Sequence, residues 1–424
     1  MKTKAWILTA ITTFCSVTMS GQVAPRGNLP HYTVIDLGNF GTAFATAQGI
    51  NNKGSVDGIF GNQNQHEFVF RNGVVTDLGT LGGPNSGVGS FGQMPSERGQ
   101  IVGAAESSSV DPLAEGFCNF LLFSPITNNV CLPFLWQNGV MAPLPTLGGT
   151  NGGASQINNR GQIAGTAENT TLDSSCGVPH LNTGPVIWEK GVIHQLPTVG
   201  GDPGGGVDSI NDKGQAVGAT GNCSAASHAV LWQDGMATDL GNLGGTPPGF
   251  FEATSINNES QVVGFSDLPG NTTFHAFFWQ DGVISDLGTL PGDSASFASA
   301  INSKGQVVGT SCVDTTFASC RAFLWQDRVM TDLNTLIPPN SPFLVQAIGI
   351  NDRGQITGFT ADVHAYLATP CDEEHAHNVG CNDGAEGKST ATQKRNLVLP
   401  ENVRNMLRQR LGHYHKPSLK APTD

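Results

Sequence analysis

Histidines recur at one position of a repeated sequence unit, four residues before a tryptophan or the residue that replaces it. They are His66, His228, His275 and His364. Because imidazole binds metals and anions and transfers protons near neutral pH, a ring of histidines raises the prospect of a metal or anion site. Equivalent positions of a repeat usually stand too far apart to share one ion. We therefore favour a structural role for each histidine, keep all four as candidates for ligand binding, and predict no metal.

Aspartates recur in the same way towards the end of the unit, at Asp77, Asp239, Asp286 and Asp332. Paired carboxylates hydrolyse glycosidic bonds, so these residues suggest an enzyme acting on polysaccharide. A carboxylate that returns in successive units is more typical of structural hydrogen bonding. Because the sequence also lacks the serine-hydrolase, zinc-peptidase and calcium-loop motifs, we predict no catalytic residue.

Two further sequence patterns resemble cofactor-binding motifs. Cys371 and Cys381 flank His375 and His377 at a spacing that suits zinc, but in an oxidising compartment a disulfide is favoured. The segment 87–92 matches a dinucleotide fingerprint in its letters, yet Pro95 and a turn follow it where a helix is required. We predict no cofactor.

The composition is that of a turn-rich β protein. The chain has 55 Gly and 24 Pro among 424 residues, and only 13% of its residues are charged. These values exclude a coiled coil, a charge-rich disordered chain and a polytopic membrane protein. The formal net charge of −13 makes nucleic acid an unsuitable partner, because binding phosphates needs a basic surface.

Residues 1–21 are typical of a secretory leader. Lys2 and Lys4 precede the mostly apolar segment 5–17, and Ser20 with Gly21 offers a cleavage site. An uncleaved anchor is the alternative. We expect a secreted or periplasmic protein with a linker at 22–30 and no later transmembrane segment.

The remaining cysteines are even in number once Cys15 has left with the leader. Three predicted disulfides close short loops, and a fourth would join equivalent loops of neighbouring repeats. The predicted pairs are Cys118 with Cys131, Cys312 with Cys320, Cys371 with Cys381, and Cys176 with Cys223, the last pairing remaining open.

Three phrases recur in order along residues 31–370. The first resembles Ile350-Asn-Asp-Arg-Gly354, the second Phe277-Phe-Trp-Gln-Asp-Gly282 and the third Thr238-Asp-Leu-Gly-Asn-Leu-Gly-Gly245. Each unit predicts four short strands, because the first phrase is a turn between apolar runs and the second ends in a two-residue hairpin. A period of about 50 residues indicates a propeller or a solenoid.

The ends of the array decide between these folds. The array begins with a lone fourth strand at 32–38 and ends with a lone third strand at 364–368. Together they complete a seventh blade, and closing the ring removes both exposed edges. We predict an all-β, seven-bladed β-propeller of four-stranded antiparallel blades, closed by the N-terminal strand, in preference to a solenoid or two stacked sandwiches.

These phrases resemble the bacterial secreted HAF-repeat family, named for a His-Ala-Phe tripeptide. The tripeptide stands here at His275-Ala-Phe277, with relatives at His228, Arg321 and His364. The degenerate copy at Pro95 and the long insertion after Ala104 depart from the pattern. The resemblance implies an extracellular repeat protein and no established catalytic residues.

One face of the predicted propeller is the candidate binding surface. We call it the loop-rich face; it carries the connections between the second and third strands of each blade and the connections between blades. Variable loops on a rigid scaffold are common binding sites. The aromatic candidates, expected to be exposed, are Phe117, Phe120, Phe250, Phe251, Phe274 and Phe317. That they seal the loops onto the blades is the alternative.

The segment after the propeller is predicted to contain a bridged loop at 371–387 and a basic, largely disordered tail at 388–424. Within the tail, residues 400–411 favour a short amphipathic helix with Val403, Leu407 and Leu411 on one face. This helix would dock on the propeller, contact an anionic cell surface or remain unfolded.

We expect a monomeric, non-enzymatic scaffold that binds a glycan, a peptide or a cell-surface partner. A polysaccharide hydrolase or lyase with its site at the central channel is the alternative, and a surface-anchored adhesion or matrix protein is the second alternative. A channel lined by small residues such as Ala47, Ala154 and Ala300 would favour binding over catalysis.

Overall fold

The computed structural model describes residues 30–88, 93–120, 127–176, 179–222, 225–371, 381 and 397–411. The predicted leader at 1–21, most of the linker, Cys223, and most of the bridged loop and basic tail lie outside these residues. Within them the chain forms seven four-stranded antiparallel sheets. The predicted all-β, seven-bladed propeller is confirmed.

Each of the first six blades consists of four consecutive strands, numbered from the axis outwards. Blade 1 contains β2 (Phe44–Ile50), β3 (Val56–Gly61), β4 (Gln65–Arg71) and β5 (Val74–Asp77). Blade 2 contains β6 (Gly82–Gly87), β7 (Ile101–Val110), β8 (Asn129–Gln137) and β9 (Val140–Pro143). Blade 3 contains β10 (Gly152–Ile157), β11 (Gln162–Leu172), β12 (Leu181–Glu189) and β13 (Val192–Gln195).

The remaining blades follow the same plan. Blade 4 contains β14 (Gly204–Ile210), β15 (Ala216–Asn222), β16 (Ala225–Gln233) and β17 (Met236–Asp239). Blade 5 contains β18 (Phe251–Ile256), β19 (Val262–Asp267), β20 (Phe274–Gln280) and β21 (Val283–Gly288). Blade 6 contains β22 (Ala295–Ile301), β23 (Val307–Cys312), β24 (Cys320–Gln326) and β25 (Val329–Asp332). Blade 7 contains β26 (Leu344–Ile350), β27 (Ile356–Thr360) and β28 (Ala365–Pro370).

The N-terminal strand closes the ring. β1 (Tyr32–Gly38) pairs antiparallel with β28, so that Tyr32 faces Pro370 and Val34 faces Ala368. β1 is therefore the outermost strand of blade 7, as predicted. The closed ring leaves neither end of the array as an open sheet edge.

The helical elements of the described chain are few. Short 3-10 turns occupy Phe117–Phe120 and Leu333–Thr335, and one α-helix, α1, spans Glu401–Leu411.

Small residues of the inner strands lie between blades. Ala154 packs with Val102 of blade 2 and Trp188, and Ala47 packs with Ala365 of blade 7. Ala300 is likewise buried in a cluster that reaches blade 7. The idea that these three alanines line a channel is wrong, because each fills the space against a neighbouring sheet.

The first repeated phrase forms the turn between the two inner strands of a blade. In blade 1, Asn51 Oδ1 accepts hydrogen bonds from the backbone N–H groups of Lys53 and Ser55. Gly54 takes a left-handed φ of 78°, which glycine adopts without strain. Another glycine follows four residues after the turn glycine, and packing requires it. In blade 6 this residue is Gly309, where a Cβ would lie 2.1 Å from the Phe297 carbonyl oxygen.

The same asparagines connect the blades. The side-chain amide of Asn211 donates to the Asn257 carbonyl at 2.9 Å, and Asn257 donates to Asn302 at the same distance. This link recurs around the ring, with Asn51, Asn158, Asn302 and Asn351 as the other donors. In the degenerate copy Ser96 stands in place of the asparagine. The phrase that identified the repeat therefore also joins one repeat to the next.

Three predicted disulfides are present, between Cys118 and Cys131, Cys312 and Cys320, and Cys371 and Cys381. Cys176 is also disulfide-bonded. Its predicted partner, Cys223, lies outside the described residues.

Candidate functional site

Each predicted histidine is paired with an aspartate. His275 Nδ1 lies 2.9 Å from Asp286 Oδ2, and His66 is 2.9 Å from Asp77. In blade 7, His364 is 3.1 Å from Asp36 of β1, so the pair also holds the closing strand. His228 Nδ1 contacts Asp202 at 2.8 Å, with Asp239 further away.

Two of the aspartates also accept hydrogen bonds from the backbone of their own blade. Asp77 and Asp286 each accept a hydrogen bond from the backbone N–H of the glycine two residues later, Gly79 and Gly288. The repeated Asp-Leu-Gly thus fixes the end of the outer strand while its carboxylate orients the histidine. The four histidines lie on four different blades, so they are not gathered into one site.

The His66–Asp77 pair shifts the pKa values of both of its members. The hydrogen bond to Asp77 raises the pKa of His66 above its usual value despite partial burial. Burial alone would raise the pKa of Asp77, but the His66 and Gly79 hydrogen bonds outweigh it and lower that pKa. The structure thus favours the imidazolium–carboxylate form of the pair.

Blade 6 replaces the histidine with Arg321. Its guanidinium contacts Asp293 at 2.8 Å and Asp332 at 3.1 Å, and it is almost fully buried. Sequence reasoning missed this ion pair, although Arg321-Ala-Phe323 occupies the place of the tripeptide. The substitution supports a structural role for this position, because arginine keeps the contact without titrating.

The aromatic candidates are largely buried. Phe251, Phe274 and Phe317 are 1%, 4% and 4% exposed, so the expectation of exposed rings is wrong for them. Phe250 is half-buried against the hydrophobic cluster that contains Phe274 and Phe317. Phe117 packs beside the Cys118–Cys131 disulfide. The side chain of Phe120 lies outside the described residues. These aromatics seal the loops, which was the alternative interpretation.

Helix α1 covers part of the loop-rich face. Its apolar residues Val403, Met406 and Leu407, and Leu399 just before it, are at most 1% exposed. They join a hydrophobic cluster with residues of blades 1, 5, 6 and 7, among them Phe44, Phe274, Phe297, Phe317 and Ile348. The helix therefore docks on the propeller with its apolar face buried.

A disulfide-closed loop of blade 6 contacts both ends of this segment. We call residues 313–319, between Cys312 and Cys320, the clamp loop. Its Ala318 carbonyl accepts a hydrogen bond from the Leu399 N–H at 2.9 Å, and its Thr316 carbonyl accepts one from Arg408 at 3.1 Å. Phe317 takes a left-handed φ of 59°, and its ring is buried in the cluster. The clamp loop is thus a binding loop whose occupant is α1.

Polar side chains are buried on the inner strands near the axis. Glu252 of blade 5 is 6% exposed, and burial raises its pKa to about 8. Asp208 occupies the inner strand of the neighbouring blade 4 and is also buried. Sequence reasoning missed both carboxyls because it considered only repeated aspartates. They are the residues around which a catalytic alternative would be built.

A second pair of buried carboxyls lies between blades 1 and 2. Burial raises the pKa of Asp57 to about 8, and burial together with the adjacent Asp57 raises the pKa of Glu67 well above its usual value. Gln93 of blade 2 donates to Glu67 at 3.2 Å. Both carboxyls are fully buried, so they are contacts between sheets and are closed to substrate.

The long insertion of blade 2 is anchored on blade 3 through acidic residues. Asp111 Oδ2 accepts a hydrogen bond from the Asn151 side chain, and Glu115 accepts one from the Leu181 N–H. Burial, together with the neighbouring Glu115 carboxyl, raises the pKa of Glu168 to about 8. Across the described residues, no group of three or more His, Cys, Asp or Glu side chains is arranged to hold a metal ion.

The described residues define a seven-bladed β-propeller whose loop-rich face holds a C-terminal helix of the same chain. They include no helix that is long and apolar enough to cross a membrane. The sequence matches no protein-family model and no curated protein.

Solved propeller structures resemble the fold. A virginiamycin B lyase from Staphylococcus aureus aligns with a TM-score of 0.45 and 11% identity, over 80% of this chain and 99% of that one. The β-propeller domain of the Trilobed protease from Pyrococcus furiosus gives 0.45 and 10%, over 81% and 99%. A gluconolactonase from Xanthomonas campestris gives 0.38 and 9%, over 81% and 96%. Identities this low do not transfer those activities to this chain.

Proposed function

We propose that the protein is a secreted, non-enzymatic scaffold that binds its partner on the loop-rich face. The observation that carries the proposal is the docking of α1 there, because the face already binds a polypeptide segment through buried apolar side chains and clamp-loop carbonyls. Of the candidate partners, this contact favours a peptide over a glycan.

The repeated residues support a scaffold. The histidine–aspartate pairs and the asparagine links are engaged in holding strands and blades together. A rigid ring with variable loops on one face is a common platform for recognition. The leader-like residues 1–21 and the disulfides support secretion, and the recurring phrases support membership of the HAF-repeat family.

The test is a screen of residues 22–424 against a peptide library and a glycan array. We expect selective peptide binding that is weakened at least tenfold by Phe250→Asp on the loop-rich face. Lys213→Glu, on an exposed turn of the opposite face, is the matched control and should leave binding unchanged. Selective glycan binding that ignores Phe250→Asp would contradict the proposal.

The enzymatic alternative is favoured by one observation, the buried Glu252 with its raised pKa on an inner strand. A carboxyl that keeps its proton near neutral pH can serve as a general acid. Release of reducing ends from a polysaccharide panel, abolished by Glu252→Gln and retained in Asp286→Asn, would establish this alternative in place of the scaffold.

A further inference from the structure

The surface under α1 has the features of a groove for an amphipathic helix. The buried apolar residues of the helix are Val403, Met406 and Leu407, at positions i, i+3 and i+4, and Leu399 is buried two residues before the helix begins. The spacing of the three helical residues places them on one side of α1, the pattern by which apolar grooves recognise helical peptides. The groove is lined by aromatic rings of blades 5 and 6 and by inner-strand residues of blades 1, 6 and 7.

We propose that this groove binds an amphipathic helix of a partner protein, and that α1 is the intramolecular competitor that fills it in the free protein. The inference rests on the proposed scaffold function and specifies its partner and regulation. The expected ligand carries apolar residues at helix positions i, i+3 and i+4, another apolar residue just before the helix in the place of Leu399, and a basic residue at i+5 in the place of Arg408.

The basic position follows from the clamp loop. Arg408 donates to the Thr316 carbonyl at 3.1 Å. Hydrogen bonds, first of all from the Thr316 hydroxyl, lower the pKa of Asp314, and the positive charge of Arg404 makes a smaller contribution in the same direction. A ligand with an acidic flank would place its charge against these acceptors. The groove therefore selects for charge as well as for apolar spacing.

The attachment of α1 suits an exchangeable occupant. The helix has 11 residues, and helices of that length are marginal in isolation. Within the described residues, the hydrogen bonds that segment 397–411 makes to the propeller go to the clamp loop. The ring is closed by β1 and by the asparagine links, neither of which involves α1. Release of the helix therefore breaks no strand pairing.

The experiment keeps the whole chain. A protease recognition sequence is inserted after Gly387, and the folded protein is cut, with cleavage verified by mass. A fluorescent peptide comprising residues 397–411 is then titrated into cut and uncut protein. We expect the C-terminal fragment to exchange after cutting, and the peptide to bind the cut protein at least tenfold more tightly than the uncut protein.

Matched variants locate the effect. Val403→Asp in the uncut chain should admit the peptide, because an aspartate cannot remain in the apolar cluster, whereas Asn402→Asp on the exposed side should not. A peptide carrying Val403→Asp should bind neither form. If Val403→Asp disturbs folding, the comparison of peptide binding by cut and uncut protein still tests whether α1 competes.

Three results would overturn the inference. Equal peptide binding by cut and uncut protein would show that α1 does not compete. A fragment that stays bound at nanomolar concentration and never exchanges would make α1 a permanent part of the fold. Dimers joined by exchanged α1 helices would replace the partner protein by a second copy of this chain. A peptide hit in the library screen that is indifferent to cutting would leave the scaffold proposal standing without this groove.

Discussion

The side-chain amide of Asn351 donates to the backbone carbonyl of Asn51 at 3.1 Å, across 300 residues of sequence. The contact joins blade 7 to blade 1 with the same geometry that joins blade 4 to blade 5 through Asn211 and Asn257. The junction that closes the ring thus uses the same hydrogen bond as the junctions formed by the other asparagines.

Replacing one of these asparagines should weaken the ring at any junction. Asn211→Ala removes the donor to blade 5 and the acceptor for two backbone N–H groups of its own turn. Leaving such buried groups unsatisfied costs about 2 kcal/mol. We expect Asn211→Ala and Asn351→Ala to lower the urea midpoint by similar amounts, while Lys213→Ala in the same turn leaves it unchanged. A loss confined to Asn351→Ala would show that the closing junction alone limits stability.

The His66–Asp77 pair predicts a defined pH window. The raised pKa of His66 contributes stability that is complete below the unfolded value near 6.5 and is lost as the pH rises through the folded pKa. The lowered pKa of Asp77 contributes stability that is present above 3.8 and is lost as the pH falls through its folded pKa. Because both side chains are partly exposed, their coupling should stay below about 1 kcal/mol.

An NMR titration of the imidazole resonances measures the pKa of His66 directly. His66 should titrate above 6.5 in the native protein and return towards its usual pKa in Asp77→Asn. Asp239→Asn, on another blade, should leave the titration of His66 unchanged. An unaltered His66 titration in Asp77→Asn would remove the pair as its cause.

The buried Asp57 predicts that stability falls as the pH rises, the same direction as for His66 and the opposite of that for Asp77. Asp57 has a folded pKa of about 8 because it is buried, so the folded state holds a proton that the unfolded chain releases near 4. Stability contributed by this group is therefore present at low pH and declines as the pH rises towards 8. Asp57→Asn should flatten the decline in melting temperature between pH 5 and 8. The exposed Asp281→Asn should retain it, and an equally steep decline in both variants would contradict the assignment.

Loss of the Cys312–Cys320 disulfide should loosen α1. Removing the constraint on so short a loop lowers the free energy of unfolding by about 2.5 kcal/mol, and the clamp loop then positions its two carbonyls less well. Trypsin should cut at Arg404 and Arg408 faster in the Cys312→Ala, Cys320→Ala double variant. The Cys118→Ala, Cys131→Ala double variant is the control, since no described residue of its loop makes a hydrogen bond to α1. Equal cleavage in both double variants would show that the disulfide of the clamp loop does not help to hold α1.

The blade architecture could be predicted because its causes are local and repeated. The asparagine turn, the hairpin and the apolar runs each act within a few residues, and seven copies made the pattern visible. The unpaired strands at 32–38 and 364–368 then predicted how the ring closes, which β1 and β28 confirm.

The candidate site was harder to predict because it depends on contacts distant in sequence. Whether Phe317 is exposed depends on a segment that begins some 80 residues later, since Leu399 binds the adjacent Ala318. The docking of α1 occurs once in the chain, so no repetition signalled it. For the same reason Glu252 and Asp208, which belong to no repeated phrase, were overlooked.

The closing strand also imposes an order on biosynthesis. Blades 1 to 6 are each built from consecutive strands, so each can assemble as it leaves the ribosome. Blade 7 cannot be completed strand by strand in this way, because β1 is synthesised first and its partner β28 only after all the other blades. Until Pro370 has emerged, the nascent chain carries β1 without its partner and blade 7 with an open edge, a state that attracts foreign strands. Chaperone contact during synthesis should therefore concentrate on β1 and persist until translation has passed the last strand.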